Sequence, residues 1–178
     1  GEGSYIEHIG NHYYLFMSYG GLEPNGGYEM RVFRSSRPDG PYKDMNGTDA
    51  IFTSWKLNYG PNADNRGEKL LGAYNHWGFM NVGERAQGHN SVLAAEDGRT
   101  YLVYHTKFND GTAGHQVRVH QLFLNRSGWP VAAPFEFHGE TTGDRQIASS
   151  QRFDSKEVAG RYHVLILSLI HISEPTRQ

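Results

Sequence analysis

Two segments of this sequence resemble each other at a spacing of 87 positions. Residues 1–34 align with residues 88–121 without a gap, and seven of the aligned positions are identical. The segments also share a rhythm of strand, turn and strand, because Gly10-Asn11 lies opposite Asp97-Gly98. A short antiparallel meander cannot bury both of its own faces, so two successive copies predict neighbouring blades of a β-propeller. An ordinary sandwich of two sheets is the alternative architecture.

The local sequence pattern is that of strands. Aromatic and β-branched runs of strand length are bounded by Gly, Asn and Asp, whereas no stretch of a dozen residues shows a helical apolar period. The 11 Tyr, 9 Phe and 22 Gly fit many short strands separated by tight turns. The predicted strands are 12–19, 28–33, 100–105 and 116–123, with 69–74 as an outer strand. The sequence therefore predicts an all-β chain.

Charge and composition exclude several function classes. The formal net charge of -2 leaves no basic excess to attract a phosphate backbone, so nucleic acid is not an expected partner. The absence of cysteine excludes a disulfide framework and a thiolate metal site. The longest apolar run, 164–170, is far shorter than the ~20 residues of a membrane span. Neither a P-loop nor a nucleophile elbow is present.

The repeat also places Glu2 opposite His89, and each is followed two positions later by a serine that begins an apolar strand. In neighbouring blades these residues would share one place, at the entrance of the innermost strand beside the propeller axis, where such folds keep their ligand sites. Taken singly, Glu2 would be read as a solvated carboxylate and His89 as a hydrogen-bonded structural histidine. His8 and His12 are separated by a turn, so they cannot form a helical metal pair.

The same segments resemble a known enzyme family. The resemblance lies in Gly1-Glu2-Gly3-Ser4-Tyr5-Ile6, in Gly88-His89-Asn90-Ser91, and in the segments 101–105, 118–123 and 128–134. Together these segments cover most of residues 1–137 in the family's order. They are similar to glycoside hydrolase family 43, in particular to its bacterial endo-arabinanases, which are five-bladed β-propellers.

The resemblance implies roles for individual residues. Glu2 would be the general acid of a single-step, inverting hydrolysis, and His89 would help to hold calcium through water. The family's base and its second aspartate would lie in earlier blades, so this piece alone would be inactive. Arg118, Tyr19 and Trp77 are candidates for contacting the sugar, with a structural ion pair as the alternative for Arg118.

The resemblance also implies an organisation and a context. Residues 1–150 would form two blades of a five-bladed propeller, and 155–166 the first strand of a small C-terminal β domain. Residues 167–178 resemble the translation of a sequencing adapter. The expected protein is a bacterial enzyme that cleaves plant α-1,5-arabinan. It would be monomeric, secreted or periplasmic, and without a membrane span. An exo-acting arabinofuranosidase or β-xylosidase and a non-catalytic carbohydrate-binding propeller are the alternatives.

Overall fold

The computed structural model describes residues 1–24, 26–51, 66–72 and 81–139, together with Lys156 and Ala159. Between residues 1 and 139 the described part contains eight strands, which form two four-stranded sheets in chain order. All neighbouring strands are antiparallel. The strands are β1 (Glu2–Ile9), β2 (His12–Tyr19), β3 (Glu29–Ser35), β4 (Glu68–Gly72), β5 (Glu84–Ala94), β6 (Thr100–Phe108), β7 (Gln116–Leu124) and β8 (Pro130–Ala132). For the described residues between 1 and 139, the prediction of all-β structure with two successive blades is confirmed.

Alternating burial explains why β2 forms where the sequence predicted it. Tyr14, Phe16 and Ser18 are fully buried, whereas the residues between them are only partly covered. Successive side chains of a strand point to opposite faces, so this pattern buries one face against the second sheet. Gly10 and Gly98, with φ of 62° and 82°, occupy the turns that follow β1 and β5. Glycine adopts such positive φ without a steric penalty.

The internal repeat holds for three of the four strands in each sheet. Under the 87-residue shift β1, β2 and β3 fall on β5, β6 and β7. The fourth strands do not correspond, because β3 ends at Ser35 and β4 begins at Glu68, whereas β7 ends at Leu124 and β8 begins at Pro130. The first blade therefore carries a much longer connection before its outer strand, and the sequence similarity ends at that connection.

One hydrophobic core joins the two sheets. Phe16, Met30 and Leu102 are each 0% exposed within a single cluster of buried side chains. Full burial of such a side chain stabilises the fold by about 1.5–3 kcal/mol, so this cluster holds the two blades face to face. Its remaining members are Tyr14, Val32 and Leu71 from the first sheet and Val92, Tyr104 and Leu122 from the second.

A set of polar and aromatic contacts at the edge of the core, here called the outer clasp, also joins the blades. Arg34 of β3 donates a hydrogen bond from Nη1 to the carbonyl of Ser127 at 2.7 Å, and its guanidinium lies 4.5 Å from the centre of the Trp129 ring. The Tyr14 hydroxyl donates to the carbonyl of Gly128. The turn between β7 and β8 is thus fastened to the first blade by side chains of β2 and β3.

Part of the predicted organisation cannot be compared with the structure. The predicted C-terminal strand at 155–166 and the adapter-like tail at 167–178 lie outside the described residues, apart from Lys156 and Ala159. No helix in the described part of the chain is long and apolar enough to cross a membrane. The outer strand predicted at 69–74 is confirmed in part, as β4 covers Glu68–Gly72 and residues 73 and 74 lie outside the described residues.

Candidate active site

Strand β1 of the first blade lies against β5 of the second, and the line along which they meet is here called the seam. Irregularities in these two strands shape one end of the seam. The pairing of β1 with β2 shifts between Glu2 and Tyr5, and the pairing of β5 with β6 shifts on both sides of Gly88. His89, which follows directly, has a φ of 48°, an uncommon value for a residue with a side chain. Bulges re-aim side chains and are over-represented beside active sites. Here they fall at the two residues that the repeat singled out.

Two glycines allow the strands to approach each other at this point. A Cβ atom on Gly3, whose φ is +58°, would lie 2.9 Å from both Cα and Cγ of His89. A Cβ atom on Gly88 would lie 2.5 Å from Cε1 of Tyr28 and 2.6 Å from Oγ of Ser18. Such distances are far inside van der Waals contact, so only glycine fits at either position.

The structure brings Glu2 and His89 together. Nδ1 of His89 lies 4.0 Å from Oε1 of Glu2, although the two residues belong to different blades. The side chains of His89 and Glu2 remain 58% and 55% exposed, respectively, so both are accessible to solvent at the end of the seam. The carboxylate and the imidazole can therefore contact the same ligand.

A buried tyrosine anchors the Glu2 carboxylate. The hydroxyl of Tyr28, a residue only 2% exposed, donates a hydrogen bond to Oε1 of Glu2 at 2.6 Å. Burial raises the pKa of Tyr28, the bond to Glu2 raises it further, and a hydrogen bond from Ser18 opposes both. The backbone N–H of His89 donates to Oγ of Ser18 at 2.7 Å. The acid is therefore connected to the second blade through Tyr28 and Ser18.

Two further histidines lie behind His89. The His105 ring lies 6.2 Å from the ring of His89 and 5.7 Å from that of Tyr28, and the ring of His115 meets it edge-on at 4.7 Å. Burial lowers the pKa of His105, and the nearby imidazoles of His115 and His89 lower it further, while Glu2 opposes this. A neutral imidazole is therefore favoured beside Tyr28.

These additional residues occupy repeat-related positions that the sequence analysis did not use. The 87-residue shift places Ser18 opposite His105 and Tyr28 opposite His115. Each blade thus contributes one polar side chain from each of its first two strands, and one from the residue just before its third. The signal was present in the repeat, but it was read only at Glu2 and His89.

The other predicted sugar contacts have different outcomes. Tyr19 ends β2, and its Cε1 is within 2.8 Å of the position that a Cβ atom on Gly1 would occupy, so it lies beside Glu2. Arg118 forms an ion pair with Glu136, with its Nε 3.2 Å from Oε2, and its guanidinium lies 5.1 Å from the centre of the Phe108 ring. Trp77 lies outside the described residues. The binding roles of all three stay predictions.

The described residues do not by themselves form a calcium site. No group of three His, Asp or Glu side chains in that part of the chain could hold a metal ion. Calcium takes six to eight oxygen ligands, whereas His89 offers one exposed imidazole and Glu2 already accepts the Tyr28 hydrogen bond.

Comparison with known proteins identifies relatives of this chain. The profile of Glycosyl hydrolases family 43 matches residues 1–130. The extracellular endo-α-(1→5)-L-arabinanase 2 of Bacillus subtilis (strain 168) is 40% identical over 177 residues, covering 92% of this chain and 35% of that protein. The extracellular endo-α-(1→5)-L-arabinanase of Thermotoga petrophila is 37% identical over 174 residues, covering 92% of this chain and 34% of that protein.

A solved structure has the same architecture. The family 43 glycoside hydrolase from Bacillus licheniformis superposes with a TM-score of 0.70 and 41% identity, over 78% of this chain and 32% of that one. This chain thus spans about a third of the length of the relatives that it matches, at 35% and 34% of the two arabinanases. The match of the family profile to most of the chain leads to one conclusion. The chain belongs to glycosyl hydrolase family 43.

Proposed function

We propose that the full-length enzyme containing this chain hydrolyses α-1,5-linked arabinan by endo action. The single observation that carries the proposal is the position of Glu2, half-exposed at the seam, anchored by Tyr28 and facing His89. Membership of family 43 supports a glycosidase, and the names of the two bacterial relatives support arabinan as the substrate.

The proposed reaction is a single displacement with inversion. Glu2 protonates the glycosidic oxygen of the leaving group while a second carboxylate removes a proton from water on the opposite face of the sugar. An inverting pair is separated by roughly 6.5–9.5 Å, which leaves room for that water. We assign the base to a part of the enzyme outside this chain, in agreement with the expectation that the family's aspartates lie in earlier blades.

A substitution of the acid tests the proposal directly. Glu2→Gln keeps the size of the side chain and its ability to accept from Tyr28, but removes the transferable proton. We expect kcat on linear arabinan to fall by about 10²–10⁴-fold with an unchanged fold, because this is the usual contribution of general acid–base catalysis. Glu96→Gln is the control, since Glu96 is exposed in the turn at the other end of β5. Equal activity of both variants would assign the acid to another residue.

The products separate the competing activities. Endo action releases a series of oligosaccharides from linear arabinan at the earliest times, whereas arabinose alone would identify an exo-acting arabinofuranosidase. Cleavage of xylan-derived substrates instead would identify a β-xylosidase. Binding of arabinan without any cleavage would identify a carbohydrate-binding propeller, and would contradict the role proposed for Glu2.

Calcium is a separate proposal for the same end of the seam. We propose that calcium binds near His89 with the imidazole acting through water, and that the oxygen ligands come from outside the described residues. A hard cation close to the sugar site would supply positive charge there. Metal analysis of the full-length enzyme after dialysis against buffer checks this, and a calcium content well below one ion per chain would contradict it.

The wider organisation is proposed on the same resemblance. Residues 1–150 form the last blades of a five-bladed propeller, 155–166 begin a C-terminal β domain, and 167–178 come from adapter sequence. The full-length enzyme acts as a monomer outside the bacterial cytoplasm, as a secreted or periplasmic protein, in line with the extracellular relatives. Light scattering of the purified enzyme and its activity in the culture supernatant test these two statements.

A further inference from the structure

We propose that Tyr28 is a positioning residue that determines which oxygen of Glu2 carries the catalytic proton. The inference rests on the proposed function of Glu2 as the general acid. Tyr28 lies just before β3, is almost fully buried, and reaches the acid with its hydroxyl alone. Its ring fills the space left by the missing side chain of Gly88, so its position is fixed by the packing of both blades.

The direction of the hydrogen bonds follows from the backbone. The N–H of His89 can only donate, so Oγ of Ser18 accepts it at 2.7 Å. The single Ser18 proton is then free to face the neighbouring hydroxyl of Tyr28, and Ser18 lowers the pKa of Tyr28 against the effect of burial. The Tyr28 proton is directed to Oε1 of Glu2 at 2.6 Å. The two hydrogen bonds thus share one direction, from His89 of the second blade toward the acid.

This order restricts where the acid can hold its own proton. Oε1 of Glu2 accepts from Tyr28, so a proton on the same oxygen would compete with that donor. The proton is therefore placed on Oε2, the oxygen not held by Tyr28. After the proton passes to the leaving group, the hydrogen bond to the new carboxylate becomes charge-assisted and stronger. Tyr28 thus orients the acid before the step and stabilises its product.

Burial keeps Tyr28 in the donating form. Its pKa is raised by removal from water, so the phenol remains protonated throughout the pH range in which the acid works. An ionised tyrosine could not donate to Glu2. The position of Tyr28 between Ser18 and Glu2 therefore provides a donor whose state does not change during turnover.

The test is Tyr28→Phe in the full-length enzyme, with Tyr42→Phe as the matched control. Tyr42 also donates through its hydroxyl, at 2.9 Å to the carbonyl of Pro38, but this bond is exposed and belongs to a surface turn. We expect Tyr28→Phe to lower kcat on arabinan by about 10- to 100-fold with little change in KM, because one hydrogen bond to a charged group is lost. Tyr42→Phe leaves kcat unchanged.

Two readouts distinguish positioning from a structural role. A nitrophenyl glycoside of an arabino-oligosaccharide has a leaving group that needs little protonation, so the loss of kcat on this substrate is expected to be less than about 3-fold. The second readout is the KM for arabinan, which is expected to change little while kcat falls. An equal loss of kcat on both substrates, or a rise in KM that accounts for the loss of kcat/KM, would overturn the proposal.

A second variant guards against poor folding of Tyr28→Phe. Ser18→Ala leaves the Tyr28 ring in place but removes the neighbouring hydroxyl that accepts from the His89 N–H, and the same leaving-group dependence is expected with a smaller loss. The proposed substrate and the positioning role of Tyr28 can be refuted separately. Wild-type cleavage of the nitrophenyl arabino-oligosaccharide without cleavage of arabinan would refute the proposed substrate alone, and equal rates for wild type and Tyr28→Phe would refute positioning alone. A wild-type enzyme inactive on both would overturn both.

Discussion

The close approach of β1 and β5 at Gly3 makes a quantitative prediction. Gly3→Ala introduces a Cβ atom 2.9 Å from the Cα atom of His89, and backbone cannot swing away as a flexible side chain can. The alanine must also adopt a φ near +58°. The left-handed conformation costs about 1–2 kcal/mol for a residue with a side chain. Overpacking adds about 1–3 kcal/mol.

Gly98→Ala separates these two contributions. Gly98 has a φ of +82°, but no atom lies within 4 Å of the position that its Cβ would occupy. Only the conformational cost of about 1–2 kcal/mol is therefore expected there. The free energy of unfolding of each variant is measured by urea titration, followed by tryptophan fluorescence. Gly3→Ala is expected to lose about 1–3 kcal/mol more than Gly98→Ala.

Activity provides the second measurement on the same pair. Relief of the clash in Gly3→Ala moves His89 away from Glu2. The kcat of this variant is therefore expected to fall by more than tenfold even at temperatures where the protein is folded. The reason is that small misplacements of groups in the active site reduce rates strongly. Gly98 lies at the opposite end of the sheet, in the turn after β5, and its variant keeps full activity. Equal losses of stability and activity in the two variants would refute the close approach.

Three further variants test a buried ion pair, a contact between the blades and a buried phenol. Glu29→Gln leaves the guanidinium of Arg31 buried without the carboxylate that lies 2.5 Å from it, so a loss of about 3–5 kcal/mol is expected in urea unfolding. Arg34→Ala removes a hydrogen bond and the contact with Trp129, which predicts a loss of about 1–2 kcal/mol. The pKa of Tyr28 is raised above 10.0 in the folded state, so the unfolded chain ionises first. Stability is therefore complete below pH 10 and declines above it, and Tyr28→Phe is expected to weaken that decline.

Each of these variants has its own control or contrary outcome. Arg37 pairs with Asp39 on the surface, with side chains 67% and 65% exposed, so Arg37→Ala is expected to leave the unfolding midpoint unchanged. An Arg34 variant that behaves the same way would show that the outer clasp contributes nothing. A stable Glu29→Gln would mean that water reaches the ion pair. Parallel stability curves for wild type and Tyr28→Phe above pH 10 would contradict burial of the phenol.

Sequence periodicity predicted the strands best where burial alternates strictly. The predicted run 12–19 coincides with β2, because a one-residue shift would expose its aromatic face. By contrast, β8 is three residues long and begins with a proline, so it has too little periodicity to be recognised. The outer strands β4 and β8 could not be matched through the repeat, because the connection between β3 and β4 is much longer than that between β7 and β8 and changes the repeat spacing.

The candidate site was predictable only in part. Glu2 and His89 emerged because a shared position in two copies marks a shared place in space, and the structure brings them to 4.0 Å. The repeat spacing marks the position of Tyr28 by pairing it with His115, but the role of Tyr28 depends on its bond to Glu2 and on the space above Gly88, which do not follow from spacing along the chain. The bulges that re-aim Glu2 and His89 are also features of pairing between strands.

The seam has a consequence for how heat would inactivate the enzyme. Glu2 and His89 belong to separate sheets, which are held together by the shared core, the outer clasp and the bond from His89 to Ser18 rather than by a common backbone ladder. A slight rotation of one sheet against the other would separate acid from imidazole while every strand stays paired. Turnover would then fade at a temperature below that of global melting. A covalent staple across the blades would postpone that fading more effectively than reinforcing either sheet internally.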